Sequence, residues 1–205
     1  MKIYKKNEFI WKFPDETTQE FVIKFVEELG FELVLDESIN FSDCVLICSV
    51  RNPYDRVLSL FISLEVVPRI ALTKEIKNTL VKYFREWVNL CFDKKKLVVD
   101  LNDYGKNSKI VGCLKQSFFS DKKPDFFVKY ENIIGDTESL GFILDRESFI
   151  NEFKYDYKEF YDLETAKLVY EYFFDHFHLI GYDPFSFTEE NLIDEVKIKF
   201  IHDTF

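Results

Sequence analysis

A chain of 205 residues, 47% hydrophobic and 31% charged, is long enough for one substantial domain and too apolar to be a disordered polymer. Its net charge of −10 argues against a general nucleic-acid binder, which works by neutralising phosphates, and against a polyanionic glycan as substrate. The 24 Phe and 11 Tyr, set against 6 Gly, forecast an aromatic core.

In chain order, residues 8–13 read as a short apolar strand. Asp15 caps the helix that follows, and Phe21, Val22, Phe25, Val26 and Leu29 share one face of it before Gly30 closes it. FELVLD, 31–36, reads as a second strand. CVLICSV, 44–50, is a continuous apolar run, the pattern of a central parallel strand covered on both faces. Cys44 and Cys48 lie in that run and point to one face. With Cys91 and Cys113 they read as reduced core thiols, since no pair has metal-ligand spacing. Arg51 follows, then Asn52-Pro53, a good N-cap and first helical residue, and a helix through YDRVLSLFISL.

Residues 73–92 form a long amphipathic helix opened by a Thr73 cap. KLVVDL and DFFVKYENI are later strand candidates, and 163–182 is a further helix ending near Gly181. DEVKIKFIHDTF, at the end, fits helix or strand. No repeat and no long linker divides the chain, which points to a single domain over 1–205. The alternation of strands and helices predicts an α/β fold with a central, mainly parallel sheet flanked by helices. Ligands of such sheets bind beyond the carboxyl ends of the strands, here Pro14, Asp36 and Arg51. The N-terminal residues lack the apolar core of a signal peptide, and no segment reaches 18 uncharged apolar residues, so a soluble cytoplasmic protein is expected.

The strongest site signal is VRNPYDRVLSLF. Arg51 sits where a buried strand meets a helix, and its guanidinium can bind a phosphate in bidentate fashion. Ser59 lies about two turns into the helix, on nearly the same face as Asn52, Asp55 and Arg56, so Arg51 and Ser59 can converge on one anion. A structural arginine at a strand end and a serine on a packed helix is the other reading. His176 and His178 are two apart on a helix and share no face, so neither they nor His202 make a metal pair, and no metal is expected.

The spacing R-x-P-x-x-R-x-x-S, Arg51 to Ser59, directly after an apolar strand, resembles the 3′-phosphate-binding segment of sulfotransferases, especially the carbohydrate sulfotransferase branch. LKQSFF, 114–119, then DFFVKYENI, 125–133, is similar to that family's Gln-containing segment and its (F/Y)-(E/D)-(N/D)-L strand end. LVYEYFFDHFHLIGYDP, 168–184, resembles its C-terminal helix. The resemblance implies a three-layer P-loop NTPase-like fold that binds 3′-phosphoadenosine 5′-phosphosulfate and transfers its sulfuryl group to a hydroxyl acceptor, a glycan or a small metabolite. Arg51 and Ser59 would hold the 3′-phosphate.

The family's 5′-phosphosulfate loop, P-K-x-G-T-(T/S), falls on Pro14-Asp15-Glu16-Thr17-Thr18-Gln19. Pro14 and Thr18 keep the pattern, and Thr17 stands at the glycine position. Asp15 replaces the lysine that would stabilise the transferring group. A carboxylate roughly 4 Å from a phosphate repels it by about 4 kcal/mol at an effective dielectric of ~20. The loop is therefore degenerate, and a catalytically inactive nucleotide- or partner-binding module is the alternative. Lys12 is the nearest cation that could compensate, whereas Lys5 and Lys6 fall at the far end of the strand. Asp36 and Glu37, past the second strand, are the candidates for the base that takes the acceptor's proton. A degenerate P-loop kinase fits less well, because no GxxxxGK(S/T) occurs. Acceptor and oligomeric state are not encoded in any motif.

Overall fold

The computed structural model describes residues 2–13, 20–34, 41–64, 73–92, 123–143 and 156–188. The expected sites Pro14, Thr17, Thr18, Asp36 and Glu37, with LKQSFF, KLVVDL and the C-terminal DEVKIKFIHDTF, lie outside the described residues. Two compact units make up the chain, one from residues 1–52 and 116–152, the other from 53–115 and 153–205.

The first unit is built on a five-stranded sheet: β1 (Lys2–Lys6), β2 (Phe9–Phe13), β3 (Glu32–Leu33), β4 (Val45–Val50) and β5 (Phe126–Lys129), in the order β3-β1-β2-β4-β5. β2, β4 and β5 pair in parallel. β1 runs antiparallel to both β2 and β3. The chain is thus α/β, but the mainly parallel sheet expected from the sequence is corrected to a mixed one. The cause is β1, a strand that the reading of residues 1–7 did not include. Asn7, in the left-handed region at φ 53°, lets the chain reverse within two residues, so Lys6 pairs with Phe9 and Tyr4 with Trp11. β1 then separates β2 from β3. Two reversals leave β3 pointing the same way as β2, β4 and β5, so the carboxyl ends of four strands share one edge of the sheet.

One face of the sheet is covered by α1 (Glu20–Glu28) and α4 (Ile133–Ser139). Tyr4, Trp11, Ile47 and Val128 come from the strands, Val22, Phe25, Val26 and Ile133 from the helices, and Leu29 from the turn after α1, to form one apolar cluster. Trp11 satisfies its indole N–H on Ser49 Oγ at 2.6 Å, and its ring meets Phe31 edge-on at 5.5 Å. The alternate positions Ile10, Lys12, Leu46, Cys48 and Val50 are buried too, so β2 and β4 are covered on both faces, as the apolar run 44–50 predicts. Gly30 sits at φ 82°, the conformation that ends α1, and Lys6 Nζ donates to the Leu29 carbonyl at 2.5 Å beside it.

Among the described residues, the second unit is helical: α2 (Pro53–Leu64), α3 (Lys74–Phe92), α5 (Leu163–Tyr172) and α6 (Phe174–Ile180). Thr73 Oγ1 accepts from Ile76 N, the cap expected for α3. Asp162 and Thr165 exchange side chain-to-backbone bonds in a capping box that starts α5. Arg85 of α3 clamps the same point. Its Nε donates to Phe160 O at 2.9 Å and its Nη2 to Tyr161 O at 3.3 Å, and its Nη1 lies 3.1 Å from Asp162 Oδ2. The core is aromatic, as composition predicts: Tyr54, Phe61, Phe84, Phe92, Phe160, Tyr161, Phe173 and Phe177 are all buried in one cluster.

The single helix expected over 163–182 is two. It breaks at Phe173, with φ −104° and ψ 21°, and α6 ends at Gly181 with φ 73°. No glycine or proline marks the break, so no local signal announces it. No described helix is long and apolar enough to cross a membrane.

Candidate functional site

The carboxyl edge of the sheet is best defined where β4 and β5 end side by side. Their register pairs Val50 with Lys129, so the residues that follow, Arg51-Asn52 and Tyr130-Glu131-Asn132, emerge together. Arg51 lays its guanidinium over the Tyr130 ring, Cζ standing 4.9 Å from the centroid. The Asn52 N–H donates to Glu131 Oε1 at 2.5 Å. The two stretches that the sequence singled out separately, VRNP and KYEN, are therefore neighbours in space.

Two aspartates fix the pairing of β4 with β5, one at each end. Asp125 brackets the start of β4's pairing: its carboxylate accepts from Leu46 N at 2.8 Å and its own N–H donates to Leu46 O at 2.8 Å. Asp136 holds the far end, accepting from Lys129 N and from Asn132 Nδ2, both at 2.7 Å. Gly135 packs against this turn, and a Cβ on it would lie 2.7 Å from Asn132 Oδ1 and displace that side chain. The short 3₁₀ turn Tyr130–Asn132 and the start of α4 are thus locked in place, and Tyr130 is held as a platform for Arg51.

The boundary between the two units falls between Asn52 and Pro53, inside the R-x-P-x-x-R-x-x-S segment. Pro53 opens α2 as expected, and Asn52, Asp55 and Arg56 are buried. Arg56 stands over the Phe173 ring at 6.0 Å, against the break between α5 and α6. Ser59 is half-buried, one turn beyond Asp55 on α2. Tyr54 faces the core, donating from its hydroxyl to Pro184 O at 2.7 Å, while Tyr161 donates to Tyr54 O at 2.9 Å. Burial pushes both phenols well above their ordinary range, with smaller contributions from neighbouring tyrosines and, for each, an aspartate, Asp183 or Asp55.

Of the other cations weighed, Lys12 is 2% exposed and lies within β2, its ammonium 5.8 Å from the Phe41 ring. Lys6 is committed to the end of α1. The hairpin register sets a further cation, Lys2, opposite Phe13, the residue before Pro14. Only the hairpin reveals that position.

Two residues of this edge, Tyr130 and Glu131, carried no assigned role in the sequence. The signal was the YEN triplet itself, but its meaning depends on β4 and β5 pairing across nearly eighty residues, which no local pattern encodes. Cys44 is half-buried and Cys48 and Cys91 are buried, and burial pushes the Cys91 thiol up to about 12, which leaves that thiol inert. Among the described residues, no three His, Cys, Asp or Glu gather to hold a metal ion. Comparison with models of protein families, with curated proteins and with solved structures finds no match.

Proposed function

We propose that this chain is a sulfotransferase-like protein of P-loop NTPase-like, three-layer architecture, transferring a sulfuryl group from 3′-phosphoadenosine 5′-phosphosulfate to a hydroxyl on a glycan or small metabolite. The observation that carries the reading is Arg51 at the carboxyl end of a central parallel strand, two residues before a helix opened by Pro53. An arginine there can fork onto a phosphate, and its guanidinium already rests over the Tyr130 ring. In this reading Ser59 adds the hydroxyl that the resemblance implies, Pro14, Thr17 and Thr18 belong to the 5′-phosphosulfate loop, and Asp36 or Glu37 takes the acceptor's proton. The co-substrate carries its own reactive group, so the reading calls for no metal.

A second reading, a nucleotide- or partner-binding module without turnover, is favoured by two observations. Asp15 stands at the lysine position of the loop. The Glu131 carboxylate, beside Arg51, also takes the Asn52 N–H, a donor that an anion would otherwise use. Titration calorimetry with 3′-phosphoadenosine 5′-phosphate tests binding, and transfer of radiolabelled sulfate to a panel of hydroxyl acceptors tests turnover. Binding that Arg51→Ala weakens at least tenfold, together with transfer, supports the first reading. Binding without transfer supports the second, and absence of nucleotide binding refutes the first and confines the second to a partner-binding module.

A further inference from the structure

The outward face of α3 carries a feature that neither reading uses. Ile76, Tyr83 and Leu90 are 52%, 58% and 44% exposed, and they recur every seven residues. At 100° per residue they fall within about 20° of a common line and form a stripe about 21 Å long. Leu80 and Trp87 border it on one side and pack inward against the core of the unit. The resulting order Ile76, Leu80, Tyr83, Trp87, Leu90 has the alternating four-three spacing of a coiled-coil seam. Large exposed apolar side chains in a continuous row mark an interaction surface rather than scattered surface residues.

The charges beside the stripe identify the occupant. Lys82 and Glu86 lie on its other border, about 100° and 60° from the Tyr83 direction. They form an intrahelical pair at the limit of contact, 3.9 Å, with both side chains well exposed. Such a pair holds little energy and leaves both groups free to turn to another partner. If a second α3 lies antiparallel across the stripe with Tyr83 facing Tyr83, the two-fold axis keeps the same border of each helix together. Lys82 of one copy then falls within roughly 3 Å, along the axis, of Glu86 of the other, and the reverse pair forms by symmetry. Ile76 of each copy meets Leu90 of the other. A parallel arrangement would instead carry the Lys82–Glu86 border of each copy against the Leu80–Trp87 border of the other, where neither charge meets its opposite.

We propose that α3 is a self-association surface: two copies of this chain pair through antiparallel α3 helices, sealed by Ile76, Tyr83 and Leu90 and set in register by reciprocal Lys82–Glu86 ion pairs. One helix pair is a small interface, so the dimer forms with a Kd on the order of micromolar. The proposal is independent of the reading of the sheet edge.

The test is sedimentation equilibrium of the full chain from ~1 to ~100 µM. The expected result is a concentration-dependent species of twice the monomer mass. Tyr83→Glu, at an exposed position where folding is preserved and checked by circular dichroism, should weaken dimerisation at least a hundredfold. Lys82→Glu and Glu86→Lys should each weaken self-association about tenfold. The two variants mixed should form a heterodimer tighter than either homodimer, because the mixture restores opposite charge on both borders. A monomer throughout the range overturns the proposal, as does a dimer unaffected by Tyr83→Glu. Failure of the mixed variants to pair more tightly overturns the antiparallel register.

Discussion

Tyr161 offers the sharpest test of how the helical unit is held. Its hydroxyl is buried and donates to the Tyr54 carbonyl at 2.9 Å, while the Tyr54 hydroxyl donates to Pro184 O. Tyr161→Phe keeps the ring in its aromatic contacts and removes only the oxygen. The Tyr54 carbonyl then loses a buried donor, which costs about 2 kcal/mol, or ~4–8 °C in melting temperature for a chain of this size. The same side chain has a second signature. Burial raises the folded pKa of both Tyr54 and Tyr161 well above 10, so their contribution to stability is complete below the unfolded pKa and is lost as pH rises beyond it. Each such phenol withdraws about 1.4 kcal/mol per pH unit once the unfolded state ionises. The variant has one of them fewer, so its deficit relative to the parent chain shrinks in alkali. The expected difference in urea-unfolding free energy falls from about 2 kcal/mol at pH 8 to about 0.6 kcal/mol at pH 11. A deficit that stays constant between those pH values would refute the burial of this hydroxyl. A variant as stable as the parent at pH 8 would refute its hydrogen bond.

Glu131→Gln replaces a charge-assisted bond to Asn52 N by a neutral one, so it should lower stability by about 1 kcal/mol in thermal melts. In calorimetry it should raise the affinity for a 3′-phosphorylated nucleotide roughly tenfold or more, since a unit charge ~8 Å from a phosphate costs about 2 kcal/mol at an effective dielectric of ~20. Weaker binding would show that Glu131 assists the ligand rather than competing with it. Arg85→Ala should cost about 2 kcal/mol in urea denaturation and Arg85→Lys about 1, because lysine keeps the charge near Asp162 but loses the fork onto Phe160 O and Tyr161 O. With both side chains over a third exposed, the ion pair supplies the smaller share. Equal loss from both substitutions would mean that geometry is everything there and charge nothing.

Parts of this architecture are legible in the sequence because they rest on local chemistry. CVLICSV has no polar face, so it can only be a strand covered on both sides, and β4 has parallel neighbours on each flank. Asn52-Pro53 fixes the start of α2, and Thr73 that of α3. What escaped depends on distant pairing. KIYKK has one fully buried residue, Tyr4, and a half-buried Ile3 beside three lysines, too little apolar pattern to read as a strand until Trp11 is placed opposite Tyr4. That omission turned a mixed sheet into a parallel one. The break at Phe173 has no breaker residue. The site was half legible: Arg51 stands out by its position after β4, whereas Tyr130 and Glu131 acquire meaning only when β5 is laid beside that strand.

The central claim is that Arg51, braced on Tyr130, receives the 3′-phosphate of a nucleotide. Calorimetric titration of 3′-phosphoadenosine 5′-phosphate against its analogue lacking the 3′-phosphate tests it most directly. The account predicts that the 3′-phosphorylated nucleotide binds at least a hundredfold more tightly, about 3 kcal/mol, and that Arg51→Ala abolishes this preference while leaving the thermal melt within a few degrees. Equal binding of the two nucleotides, or a preference that survives Arg51→Ala, would contradict it.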